Sequence, residues 1–170
     1  MKVPDFKKIA KFDRAFWTTL GKKTVIQHKT HVQVDGRGAE GKTIGKLLPK
    51  YTQFYKEQKR AGAYPNQRSK VVDKANLTLT GKMMDAFKFI RSFNTGFIYG
   101  ITDSEQASRL HDHQIGKFGN KIVPSKRRII SSKEDPLPIN LQKKVVKAMA
   151  NKIISNISKT LNVGIQRIKI

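Results

Sequence analysis

Gly36-Arg-Gly-Ala-Glu-Gly41-Lys42-Thr43 has the spacing of a phosphate-binding loop: Gly, four residues, Gly-Lys, then Ser or Thr. In such a loop backbone amides and the first turn of a following helix surround phosphate oxygens, while the lysine adds charge and the hydroxyl helps to hold Mg²⁺. The helix must therefore begin at the lysine, yet Gly45 and Pro49 interrupt the segment that should form it. The acidic strand that such a site also needs has one weak candidate, Gly96 to Asp103, which sits in a hairpin pattern. The expectation is a turn, with a small NTPase as the least favoured reading.

The four histidines form two pairs, His28 with His31 and His111 with His113. Only the second has a carboxylate beside it, Asp112. A helix sends positions i and i+2 to different faces, so one metal between His111 and His113 would require a strand. Hydrogen-bonding or interface histidines are the expected reading. Gly-x-Ser-x-Gly is absent, and no cysteine is present to supply a thiolate, a disulfide or a zinc ligand. No catalytic residue, cofactor or metal is expected.

The third constellation is basic. Lys117, Lys121, Lys126, Arg127, Arg128 and Lys133 place six positive charges in 17 residues, around the apolar pairs Ile122-Val123 and Ile129-Ile130. Such charge suits phosphate or an acidic protein face, and without a base-reading motif any nucleic-acid contact would be independent of sequence. The whole chain shares the bias: 35 Lys and Arg against 12 Asp and Glu give +23 over 170 residues. An anionic partner follows, since the excess is spread along the body and not confined to a tail. The start, Met1-Lys-Val-Pro-Asp-Phe, turns polar too soon for a signal peptide, and no apolar run approaches about 18 residues. A chain made in the cytoplasm with no membrane partner is expected.

The elements that must position these groups read as α+β. Phe6, Ile9, Phe12, Phe16, Trp17 and Leu20 predict an amphipathic helix from about residue 4, its aromatic stripe in the core. Thr30 to Val34 alternates and reads as a short strand entering the Asp35-Gly36 turn. A helix follows Pro49, with Tyr51, Phe54 and Tyr55 on its apolar edge and Lys56, Lys59 and Arg60 in water, ending at Ala61-Gly62. Residues 66–76 read as an exposed loop, and Thr80 as the N-cap of a short helix holding Met83, Met84 and Phe87. Asn94-Thr-Gly96 joins two hairpin strands, and a helix from Ser104 is broken at Gly116 and Gly119.

Asp135-Pro136 and Pro138 announce the last helix, striped by Leu141, Val145, Met149, Ile153, Ile157 and Leu161, with its lysines largely in water. Residues 1–162 read as a single domain and 163–170 as an extended tail. The expected fold is a small antiparallel sheet packed against helices, with long N- and C-terminal helices.

The order of these elements resembles the phage virion-morphogenesis, or tail-completion, proteins. The likeness runs over about residues 30–155: Asp35-Gly36, Leu48-Pro49, Tyr51 and Lys56; Leu77, Thr80, Gly81 and Met83 to Phe87; two strands; Ala107, His113-Gln114 and Gly116; then Val123-Pro124 through Ile130. Lys126 stands where that family has an Arg, Arg127 lies one place on, and Ile129-Ile130 replaces Phe-Leu. The resemblance implies a non-enzymatic virion protein of the neck or tail terminus that joins head to tail. It implies a ring of identical subunits, a hexamer by the family's habit, against adjacent neck or tail-tube proteins and around the DNA channel. His111, His113, Gln114, Ile165, Ile168 and Ile170 are then the expected subunit contacts, and the 117–133 cluster the contact to DNA or acidic neighbours. The competing expectation is a sequence-independent nucleic-acid-binding protein.

Overall fold

Helix α1 (Arg14–Gln33) begins where the Asp13 carboxylate accepts the Phe16 amide at 2.6 Å, satisfying one of the donors that a helix start leaves unpaired. The computed structural model describes residues 11–39, 45, 47–75, 77, 81–118, 121–122, 127–130 and 138–166, with backbone alone at 117–118, 121–122 and 161–166. The earlier part of the expected first helix lies outside the described residues. Trp17, Leu20, Gly21, Thr24, Val25, His28, His31 and Val32 are buried along α1, in steps of three and one that trace a single stripe. The aromatic stripe is core only at Trp17; Phe12 and Phe16 are half-buried.

The strand expected at Thr30 to Val34 does not form. The helix continues through Gln33, and Val34 caps it with its amide on the Thr30 carbonyl. Local β-branched propensity loses here to burial of His31 and Val32 on the helical stripe. Three threonines of the helix also return their hydroxyls to the carbonyl four residues back: Thr18 to Arg14, Thr24 to Leu20 and Thr30 to Ile26, at 2.8 to 3.0 Å.

Strands β1 (Phe87–Ser92) and β2 (Phe97–Ile101) form the antiparallel hairpin that Asn94-Thr-Gly96 predicts, with an irregularity between Phe89 and Arg91. Helix α1 lies on this hairpin. Trp17 Nε1 donates to the Asn94 carbonyl at 2.9 Å, and the Thr18 and Ser92 hydroxyls meet at 2.7 Å. The approach is close enough that a Cβ on Gly21 would stand 2.6 Å from the Phe89 ring.

Helix α2 (Gln53–Ala61) is capped by Thr52 and, as its sequence predicts, closed by Gly62 at φ 76°. Its faces differ from expectation: Phe54 is 70% exposed, whereas Lys59 is fully buried. The 66–75 segment is anchored by buried Val72 and Ala75 and is not a wholly exposed loop. Helix α3 (Lys82–Asp85) has left-handed Gly81 at its N-cap position in place of Thr80, which lies outside the described residues, and Phe87 opens β1.

Helix α4 (Ser104–Ile115) starts at Asp103, whose carboxylate accepts the Gln106 amide at 2.8 Å, and stops at left-handed Gly116. Strands β3 (Lys117–Phe118) and β4 (Lys121–Ile122) make a second, minimal antiparallel pair. Helix α5 (Ile139–Gln166) is 28 residues long, about 42 Å at 1.5 Å per residue. It passes Asn162 and Gly164 unbroken, so residues 163–166 are helical and not the expected extended tail; 167–170, with Ile168 and Ile170, lie outside the described residues. In its predicted stripe Leu141 is buried and Val145, Met149, Ile153 and Ile157 are half-buried, while the Leu161 side chain lies outside what is described.

The core joins these parts: Val32, Leu48, Tyr51, Ala75, Met83, Met84, Leu110 and Ile129 form one cluster, with Tyr55, Leu77, Ile101 and Ile130 packed against it. The fold is α+β, helices against a small antiparallel hairpin. No helix among the described residues is long and apolar enough to cross a membrane.

Candidate functional site

Residues 127–130 cross the end of α4 as a strap fixed from three sides. The Arg127 amide donates to the His113 carbonyl at 2.8 Å. The Gln114 side chain accepts the Ile129 amide at 2.6 Å and donates to the Ile130 carbonyl at 3.2 Å. From the opposite side, the Ala39 amide donates to the Arg128 carbonyl at 2.7 Å, and His28 Nε2 donates to the Ile129 carbonyl at 2.8 Å. A Cβ on Gly38 would collide with the Arg128 carbonyl oxygen, so glycine permits this closeness. Buried backbone groups must find partners, and the His-Gln-Gly element supplies them.

The residues expected to face partners differ in how far they are engaged within the chain. Gln114 is committed within the chain, His113 is half-buried, and His111 alone of the three is exposed. Arg127 is half-buried with its guanidinium carbon 5.6 Å from the Tyr51 ring centroid; Lys59 Nζ lies 4.8 Å from the same centroid. Two cations thus share one aromatic ring, an attraction that strengthens as water is removed. Desolvation lowers the pKa of both Lys59 and Arg127. Of the basic cluster, Arg127 is spent on the core and Arg128 is half-buried. Lys117 and Lys121 belong to β3 and β4, where only backbone is described, and Lys126 and Lys133 lie outside the described residues. Ile165 falls in the last turn of α5.

The histidines of α1 are internal. The Ile129 carbonyl fixes the Nε2–H tautomer of His28, leaving Nδ1 to accept from the Tyr99 hydroxyl at 3.2 Å. Burial, the dominant cause, lowers the His28 pKa to about 4, with the Ile129 carbonyl opposing. Burial also lowers His31, whose Nε2 donates to the Gly38 carbonyl at 3.3 Å. His113 falls to about 4 through desolvation and then the charge of Arg127. No group of three potential metal ligands occurs among the described residues.

The described residues at the ends of the phosphate-loop pattern are held against each other. The Arg37 guanidinium donates to the Gly45 carbonyl at 2.7 Å, Arg37 bridges Leu47, and the Leu48 amide donates to the Gly36 carbonyl at 2.8 Å. The ends of the segment are thus pinned together in an antiparallel turn. Gly36 and Gly45 both have positive φ, at 64° and 81°, and no helix occupies residues 45 or 47–52. Glu40 to Thr43 lie outside the described residues. The helix N-terminus on which the phosphate chemistry depends is not supplied from Gly45 onward.

A different basic feature joins the start of α1 to α5. Lys11, Asp13, Lys152, Asn156, Lys159 and Thr160 line an open cleft of about 280 Å³ between the start of α1 and the distal half of α5. Asn156 Nδ2 donates to the Lys11 carbonyl at 3.4 Å and ties the two walls. Sequence reasoning set the lysines of α5 largely in water. The available signal was the composition of α5, which has five lysines and no acidic residue, with Lys152 and Lys159 seven apart on one side.

Comparison with protein-family models, curated proteins and solved structures finds no match to this chain.

Proposed function

We propose that this chain is a structural, non-enzymatic virion protein of a tailed phage, assembled in the host cytoplasm as one subunit of a ring at the neck or tail terminus around the DNA channel. The ordered resemblance from Asp35 to Ile130 motivates the reading. The observation that carries it is uncovered apolar surface on a strongly basic chain. On α5, Val146 is 62% and Ile154 60% exposed, about two turns of helix apart with Ala150 between them on the same side. On the hairpin, Ile90, Phe93 and Ile98 are each 41% exposed, and neither edge of the β1–β2 pair meets another strand among the described residues. Such surfaces suit a subunit whose burial is completed by neighbours.

A ring of subunits each carrying +23 repels itself unless DNA or acidic neighbours offset the charge. The test is the mass of the purified protein by light scattering, with and without duplex DNA, joined to imaging of intact particles. A ring, hexameric by the family likeness, is expected at the neck or tail end. A monomer absent from virions would end this reading.

A further inference from the structure

We infer that the cleft between the start of α1 and the distal half of α5 is a binding site for the phosphodiester backbone of a nucleic acid. The site is distinct from the 117–133 cluster and independent of the ring reading, because a monomer presents it equally. Three lysines reach it from two walls, Lys11 from the approach to α1 and Lys152 and Lys159 from α5. No carboxylate among the described residues forms an ion pair with any of them.

The one acidic lining residue, Asp13, already has Oδ1 on the Phe16 amide, so its charge faces the amides of the helix start. Asn156 and Thr160 add neutral polar groups, and no aromatic or aliphatic residue is among the described lining residues. The lysine ammonium groups, the Asn156 amide and the Thr160 hydroxyl are all donors, which suits a ligand that only accepts, as phosphate does.

Spacing favours a polymer over a single anion. Lys152 and Lys159 are two turns apart, about 10.5 Å along the axis, which matches about three nucleotide steps at 3.4 Å per strand. Lys143, Lys144 and Lys147 continue the positive charge along the same acid-free helix, all exposed.

The experiment is fluorescence anisotropy of the full chain on single-stranded and duplex DNA of about 20 nucleotides, over a salt series. The variant Lys11→Gln/Lys152→Gln/Lys159→Gln is compared with Lys50→Gln/Lys82→Gln/Lys88→Gln, which removes the same charge from exposed positions outside α5. The cleft variant should bind about tenfold or more weakly, and its slope of log K against log salt should fall by about 2 to 3. The control should lose less than about threefold.

Equal losses in both variants would show diffuse attraction and overturn the site, as would unchanged binding by the cleft variant. Inorganic phosphate or polyglutamate displacing DNA at matched charge concentration would replace the nucleic-acid reading with a small-anion or acidic-protein site. Should the cleft triple fail to fold, Lys159→Gln alone, at an exposed position, should lower the salt slope by about 1. No change of slope there would also overturn the proposal.

Discussion

Helices α1 and α5 are the two long elements of this molecule, and they are stabilised in opposite ways. Over 20 residues α1 buries eight, donates side chains to the hairpin at Trp17 and Thr18, and pins the 127–130 strap through His28. Over 28 residues α5 fully buries Leu141 and otherwise leaves its described side chains half-buried or exposed. A lone helix in water gains little from its own propensity and depends on the apolar face that it buries. The contrast separates a part of the fold that is complete within one chain from a part that reads as unfinished without a partner.

The sharpest way to break this contrast is at Trp17, 6% exposed and packed among Phe12, Phe16 and Phe97. Trp17→Ala should cost about 4 kcal/mol in denaturant unfolding, through lost burial and an orphaned Asn94 carbonyl. A loss below about 1 kcal/mol would show that α1 is not the organising helix.

The next effect is acid sensitivity. His28 has its folded pKa lowered to about 4 from 6.5, so the unfolded chain takes up the proton first. Its contribution is fully present above pH 6.5 and is lost as pH falls toward 4; by pH 5 the loss is about 2 kcal/mol. Stability measured at pH 7.5, 6 and 5 should fall in that order, with the His28→Asn chain falling less. A flat profile over that range would deny the buried neutral imidazole.

The smallest effect belongs to α5. Val146→Ser with Ile154→Ser should change monomer stability by no more than about 0.5 kcal/mol, since both side chains stand in solvent, yet should lower the assembled mass seen by light scattering. A large loss of stability with assembly intact would reverse the division between the two helices.

What could be read in advance follows the range of the physics. The Asn94-Thr-Gly96 hairpin, the Gly62 and Gly116 helix stops and the α5 start beside Pro138 are decided within a few residues, and the sequence carries them. Thr30 to Val34 misled because alternation over five residues is a local signal, while the buried stripe that overrules it needs the hairpin and strap in place. Lys59 was set in water for the same reason: the Tyr51 ring that receives it is eight positions back, and its burial is a tertiary fact. Gln114 and Arg127 were legible as a polar pattern, but whether they point inward or outward is decided by where residue 129 lands. The cleft draws on Lys11 and Lys159, whose meeting depends on two helices far apart in the chain.

The bond from His28 to Ile129 spans 101 positions, and this sets a schedule for synthesis. At translation rates of about 5–20 residues per second, α1 waits roughly 5–20 s for the segment that satisfies its imidazole. The hairpin, some 70 positions after Trp17, arrives earlier and can shelter the aromatic end meanwhile. Such distant closure makes for slow folding. The nascent chain therefore holds its first helix half-sheltered until the ribosome has made most of the molecule.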